Sequence, residues 1–111
     1  MSGPLHGVKV VELGVWVAGP AAAGVLGDWG AELIKVEGLT GDQWRYTGQF
    51  RNRGMSGQFM AANRNKRSLV LDLKDAEGKA AFLKLAEISD AIITNVRPAA
   101  LERLGRAHGQ A

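Results

Sequence analysis

The strongest claim to chemistry in this 111-residue chain belongs to one turn, Gly14-Val15-Trp16-Val17-Ala18-Gly19-Pro20. A glycine-rich turn from strand to helix leaves backbone N–H groups free to meet an anion above a sheet edge. Its spacing fails the G-x-G-x-x-G dinucleotide fingerprint, and Pro20-Ala21 stands where a P-loop needs Lys-Ser/Thr. A tight turn with no ligand is the competing account. Other constellations are thinner. His6 and His108 lie near opposite ends with no carboxylate pair at ligand spacing, so no metal site is expected. Ser2, Ser56, Ser68 and Ser89 lack a G-x-S-x-G elbow. Cysteine is absent, which excludes a thiol nucleophile, a zinc ribbon and a disulfide scaffold, and fits a reducing compartment. Asp72 and Asp75 flank a strand end, where turn-making and helix capping are open to them. No complete catalytic apparatus is visible, and no catalytic residue is assigned.

Charge is distributed unevenly. Residues 45–67 carry Arg45, Arg51, Arg53, Arg64, Lys66 and Arg67 with no carboxylate, although the whole chain is only +3, so the remainder is net negative. Such a segment either attracts an anionic partner or forms a solvated basic loop. Tyr46, Phe50 and Phe59 interleave with the cations. There is no recognition-helix pattern and no RNP-like motif, so nucleic-acid binding is not expected.

These residues need elements to position them. Val8, Val10, Val11 and Leu13 form a near-continuous apolar run with Glu12 as its only acid, the pattern of a strand buried on both faces. A small-residue helix is expected over Pro20–Trp29, stopped by Gly30, with Gly24 and Gly27 implying a close neighbour. Ala31–Glu37 reads as a second strand, which completes a βαβ unit. Residues 38–67 are glycine-rich with one short helix, Ser56–Asn63, and read as a functional or partner-wrapping loop. A third strand is expected over Ser68–Leu73. Asp75 then caps a helix over Ala76–Ser89 with Ala81, Phe82, Leu85 and Ile88 on its apolar face. Gly78 sits where a capping box would place Glu. A fourth strand, Asp90–Val96, and a last helix, Ala99–Leu104, close the pattern. The fold class is α/β: a Rossmann-like, partly complete doubly wound, mainly parallel sheet of about four strands with flanking helices.

Length and composition agree. Apolar residues make up 46% and charged residues 23%, a globular balance for one domain. The longest uncharged run, Leu13–Gly27, is broken by glycine and proline and is shorter than a membrane span, and no signal-peptide pattern opens the chain. A cytoplasmic location is expected.

Several segments, in order, resemble the N-terminal part of the class III coenzyme A transferases, a family that includes formyl-CoA:oxalate CoA-transferase, carnitine CoA-transferase and the α-methylacyl-CoA racemases. They are residues 3–12 (Gly3-Pro4-Leu5-His6-Gly7 into Val8-Lys9-Val10-Val11-Glu12), Ala18-Gly19-Pro20, Gly30–Glu37, and Gly41-Asp42. They continue with Asn63–Ser68 into Leu71-Asp72-Leu73-Lys74, Glu77-Gly78-Lys79, Ala91–Pro98, and Leu101–Gly105. The resemblance covers nearly the whole chain and implies that residues 1–111 are an incomplete CoA-binding Rossmann-like domain whose catalytic remainder is absent. It implies coenzyme A or acyl-CoA as substrate, a carboxylic acid acceptor, no metal, and a homodimer of interlocked subunits in the full-length form. By likeness, coenzyme A lies along Leu71, Asp72, Leu73 and Lys74 and along Asn95, Val96 and Arg97, near Arg103, with Val17 and Ala18 close to the thioester. Lys74, Arg97 and Arg103 suit the phosphates of coenzyme A. Val17 is apolar, so only main-chain donors are available there. Gly38-Leu39 replace the Arg-Pro usual in the family after Glu37, which removes a nucleotide contact. The family's reactions are CoA transfer through an enzyme aspartyl anhydride and, in the racemases, α-proton exchange. Both use residues beyond this chain, so the chain alone is expected to be inactive. A non-catalytic CoA-binding or assembly module is the rival reading.

Overall fold

The structure is a computed structural model and describes residues 3–48 and 53–99. Four strands form one sheet: β1 (Lys9–Leu13), β2 (Glu32–Glu37), β3 (Lys66–Val70) and β4 (Ala91–Thr94). Their order is β3-β2-β1-β4, and every pairing is parallel. Among the described residues three complete α-helices accompany them, α1 (Ala18–Asp28), α2 (Gly57–Ala62) and α3 (Ala76–Glu87), with a short 3₁₀ turn at Gln43–Tyr46. The α/β, Rossmann-like reading is borne out. The chain leaves β1 for β2 on one side and returns to β4 on the other, so the strand order reverses between β1 and β4.

Side chains alternate across the pleat. Val10 and Leu33 pack with Ala23 of α1 and Ala31, joined by Leu26 and Ile93. Val11, Leu13 and Val36 face the other way, toward Phe82 and Leu85 of α3 and toward Leu71, Leu73 and Val96. β1 is buried from Val10 through Leu13, as a strand covered on both faces must be.

The glycines of α1 have the close neighbour their cost implied. A Cβ on Gly24 would lie 2.7 Å from the Ala62 carbonyl oxygen at the end of α2. Gly30 ends the helix region at φ +103°. α1 begins two residues before Pro20, which a proline tolerates because the first turn has no intrahelical acceptor for its N–H. Asp75 caps α3 by accepting from the Glu77 N–H at 3.1 Å. Gly78 is required there: a Cβ would sit 2.0 Å from the Asp72 carbonyl oxygen, so no capping-box Glu fits.

Three expectations are corrected. β3 starts at Lys66 and ends at Val70, because Lys66 and Ser68 are drawn into the sheet by carboxylates beneath it. Beyond it, Leu71 donates to the Glu37 carbonyl at 2.9 Å and Leu71 and Leu73 turn into the core instead of extending the strand. On α3, Phe82 and Leu85 face the sheet, but Ala81 and Ile88 are exposed and no residue of the helix is fully buried. β4 is limited to Ala91–Thr94, with Asp90 accepting the Lys9 amide before it and Asn95 engaged elsewhere after it. The helix expected over 99–104 falls almost wholly outside the described residues.

Candidate functional site

Beneath α1 and α2 the carboxyl half of the sheet is built from charge. Glu12 of β1 and Lys35 of β2 are paired in register, and both are essentially inaccessible to solvent. A strand buried on both faces obliges such residues to find partners. Lys35 Nζ lies 2.9 Å from Glu12 Oε2, 3.0 Å from Asp42 Oδ2 and 3.1 Å from the Gly14 carbonyl. Lys66 Nζ, on the neighbouring β3, reaches Glu12 Oε1 at 2.5 Å, the Pro20 carbonyl at 2.8 Å and Asn63 Oδ1 at 2.7 Å. Burial holds the Lys66 ammonium below its ordinary pKa, against the opposing pull of Glu12.

A second cluster adjoins the first. Glu37, at the end of β2, accepts both guanidinium arms of Arg45 at 2.8 and 2.7 Å, the Ser68 hydroxyl at 2.5 Å and the Asp42 amide at 2.9 Å. Burial by itself would raise the Glu37 pKa, but these donors outweigh it and take it down to about 2. Arg45 stacks 4.0 Å above the Phe59 ring of α2. The loop from Gly38 onward is therefore tied to the sheet.

The β1–α1 turn sits on this foundation. The Gly14 carbonyl rests on Lys35, Val15 exchanges two bonds with the Asn95 side chain at 3.1 and 2.7 Å, and the Trp16 amide donates to Asp42 Oδ1 at 3.2 Å. Trp16 is held at φ +63°. No side chain caps α1, and the amides of the exposed Val17 and Ala18 and of the buried Gly19 make no close hydrogen bond among the described residues. Val15, Trp16 and Val17 are exposed beside them. The arrangement is a rigid turn offering donors at the carboxyl rim, where the strand order reverses between β1 and β4.

The basic stretch takes a different role from either one expected of it. Arg45, Arg64, Lys66 and Arg67 each face a carboxylate of this chain: Glu37, Asp28, Glu12 and Glu32 respectively. Most of its charge is neutralised internally. Arg53 has no such partner among the described residues and lines an open cleft of about 300 Å³ with Tyr46, Leu39, Ser68 and Val70, at the ends of β2 and β3. No group of metal-ligating side chains occurs among the described residues, and none of the described helices is long and apolar enough to cross a membrane.

Comparison with known proteins decides the family. Residues 5–110 match CoA-transferase family III. The chain belongs to that family. It is 42% identical over 110 residues to (R)-2-hydroxy-4-methylpentanoate CoA-transferase of Clostridioides difficile, covering 96% of this chain and 28% of that protein. It is 41% identical over 104 residues to the succinyl-CoA–L-malate CoA-transferase alpha subunit of Chloroflexus aurantiacus, covering 92% and 24%. A crystal structure of a CAIB/BAIF family protein from Brucella suis superposes with a TM-score of 0.88 at 37% identity, covering 95% of this chain and 29% of that one. The chain thus spans about a quarter of the length of the relatives it matches.

Against this family III frame, the residues singled out from sequence fall into three groups. Val17 and Ala18 lie at the donor-rich turn, and Asn95 clamps it. Leu71, Leu73 and Val96 share the core beneath α3, so any ligand contact from these positions comes from their backbone. Asp72 is engaged in its own loop, accepting the Lys74 amide at 3.0 Å. Lys74 and Arg97 are exposed, with no carboxylate partner among the described residues, on loops leaving β3 and β4. Those strands are the two edges of the sheet, about 14 Å apart at ordinary strand spacing. Arg103 lies outside the described residues. Sequence reasoning passed over Glu12, Lys35, Glu37 and Asp42. The signal was available: a charged residue inside a strand buried on both faces needs a partner on the neighbouring strand.

Proposed function

We propose that this chain supplies the coenzyme A-binding part of a class III acyl-CoA transferase and has no turnover by itself. The observation that carries the reading is the β1–α1 turn at the strand-order reversal, with free amides at Val17, Ala18 and Gly19 and a fixed backbone behind them. Open α/β sheets bind ligands in this crevice, and main-chain donors suit the oxygen of a thioester as it gains charge. Lys74 and Arg97 are the cations proposed for the phosphates of coenzyme A, together with Arg103, and Leu71, Asp72, Leu73 and Val96 are the main-chain wall between them. With Gly38 in place of an arginine, nucleotide contact on the β2 side would come from Arg53.

In the parent reaction an enzyme aspartate attacks the acyl-CoA carbonyl and expels the CoA thiolate. The CoA thiolate then attacks the aspartyl carbonyl of this anhydride and releases the donor acid. The acceptor carboxylate displaces the thiolate from the resulting aspartyl thioester, and the thiolate attacks the acceptor's carbonyl, leaving as acceptor-CoA and restoring the aspartate. No residue of this chain is assigned that aspartate. A full-length homodimer, a carboxylic acid acceptor and a cytoplasmic setting belong to the same proposal. The two relatives named above are CoA-transferases, which favours transfer over α-proton exchange.

Calorimetric titration of the chain with coenzyme A and with dephospho-CoA tests the reading. A 3′-phosphate held by either Lys74 or Arg97 should favour coenzyme A about tenfold. Equal affinity refutes the cationic phosphate site, and no binding of either ligand overturns the coenzyme A assignment in favour of an assembly role. Acyl-CoA plus a free acid should give no turnover with the purified chain. Turnover that survives contaminant controls would contradict the predicted inactivity.

A further inference from the structure

Trp16 is the anomaly of the ligand-facing turn. A bulky residue at φ +63° crowds its own Cβ against the backbone, which costs about 1–2 kcal/mol. Such a conformation persists only where its surroundings over-determine it. Three consecutive residues are gripped by three different side chains: Gly14 by Lys35, Val15 by Asn95, and Trp16 by Asp42. Asp42 is the group that acts on the strained residue itself.

The surroundings of Asp42 exceed the needs of a turn. Its Oδ1 accepts the Trp44 amide at 2.9 Å, which is all that starting a short helical turn at Gln43 requires. An aspartate serving only that purpose sits comfortably in water. This one is 1% exposed. Its amide is anchored on Glu37 Oε1 at 2.9 Å, its Oδ2 rests 3.0 Å from the Lys35 ammonium, and Oδ1 reaches 26 residues back to the Trp16 amide. Burying a carboxylate is costly unless paired, and the pairing here aims its remaining acceptor at the turn.

We propose that Asp42, seated on Lys35, is a positioning residue: it holds Trp16 in the left-handed conformation and so fixes the direction of the Val17, Ala18 and Gly19 amides. Glu37 carries the same constraint to the loop beyond Gly38, so loop and turn move as one body. The functional part of this inference rests on the reading that the turn faces the acyl-CoA.

Two substitutions separate the roles. Asp42→Asn keeps Oδ1 on the Trp16 amide only by turning its NH2 toward the Lys35 ammonium, whereas Asp42→Ala removes both oxygens. Amide hydrogen exchange read by NMR at residues 16–19 reports the turn directly, and coenzyme A titration reports its use. Asp42→Ala should exchange at least about tenfold faster at residues 16–19 than the wild type, after normalisation to β1 and β2 amides, and bind coenzyme A about tenfold more weakly. Asp42→Asn should show a smaller loss than Asp42→Ala in both, confined to residues 16–19. A merely structural role predicts a uniform loss across the sheet, and that pattern overturns the proposal. So does an Asn variant as defective at residues 16–19 as the Ala variant. If the Ala variant does not fold, the Asn variant decides: protection kept at Trp16 supports the proposal, and loss by more than about tenfold refutes it. Failure of the wild type to bind coenzyme A would remove the functional reading and leave the exchange comparison intact.

Discussion

Toward α1 and α2, β1 directs Val10 and Glu12; toward α3 it directs Val11 and Leu13. The same five-residue strand thus serves two differently built interiors. On the α1 side the amino half is apolar and the carboxyl half is a closed set of charges, in which Lys35 and Lys66 meet Glu12, and Asp42 and Glu37 are likewise paired. On the α3 side the buried contacts are apolar, with the exposed Arg67–Glu32 pair at their margin, and coverage is partial: α3 buries no residue fully, Ile88 is 67% exposed, and Leu69 and Ile92 stand open at the two sheet edges. Apolar contact is tolerant of geometry, whereas a buried ion pair requires a fixed one. The rigid side is the one beneath the donor-bearing turn.

The largest effect that tests this contrast is removal of the central cation. Lys35→Met leaves buried Asp42 without a cation and Glu12 with Lys66 alone, and should cost about 3–5 kcal/mol in urea unfolding. A loss below about 1 kcal/mol would mean that the charges do not organise that face.

Glu37 gives the next largest effect through pH. Its folded pKa, about 2, lies below the ordinary 4.5. It therefore contributes stability above pH 4.5 that is lost as pH falls toward 2, about 3 kcal/mol in full. Stability curves of the wild type and Glu37→Gln should converge across that window. Parallel curves would show that the carboxylate is not held by Arg45 and Ser68.

The close approaches on the two sides come third. Gly78→Ala places a methyl against the Asp72 carbonyl on the α3 side, and Gly24→Ala places one against the Ala62 carbonyl on the α2 side. Each should lower stability by about 1–3 kcal/mol, Gly78 more than Gly24, measured as the fall in Tm. A reversed ranking would make the α3 side the more yielding of the two.

The smallest effect belongs to the open edge. Ile92→Thr should change stability by less than about 0.5 kcal/mol, because Ile92 is half exposed. A larger loss, or a concentration-dependent Tm, would indicate that something covers this face in solution.

Most of the fold was legible from sequence, because the relevant signals are local. The apolar run at Val8–Leu13, the stop at Gly30, the Asp75 cap and the Ser56–Asn63 helix each depend on neighbours a few residues away. The errors fell where distant partners decide. β3 starts early because Lys66 has a carboxylate on β1 to reach, and Ile88 is exposed because α3 ends at Glu87 and leaves an open cleft between Ile88, Leu85 and Ile34 of the sheet. Of the residues named from sequence, Val17, Ala18 and Asn95 come together at the β1–α1 turn. The foundation of that turn was not legible, since pairing across 23 residues from Glu12 to Lys35 depends on the register of two strands.

Taken alone, the order of residues settled which segments are strands and helices and that the strands run parallel, since periodicity, caps and crossover connections are properties of short stretches of chain. Only the tertiary structure decided which charges neutralise one another. A basic stretch that looked available to a partner proved largely occupied by the chain's own carboxylates, and an aspartate in a glycine-rich loop accepts the amide of a tryptophan 26 residues away. Electrostatic partners are set by distance in space and by burial, and neither is a function of distance along the chain.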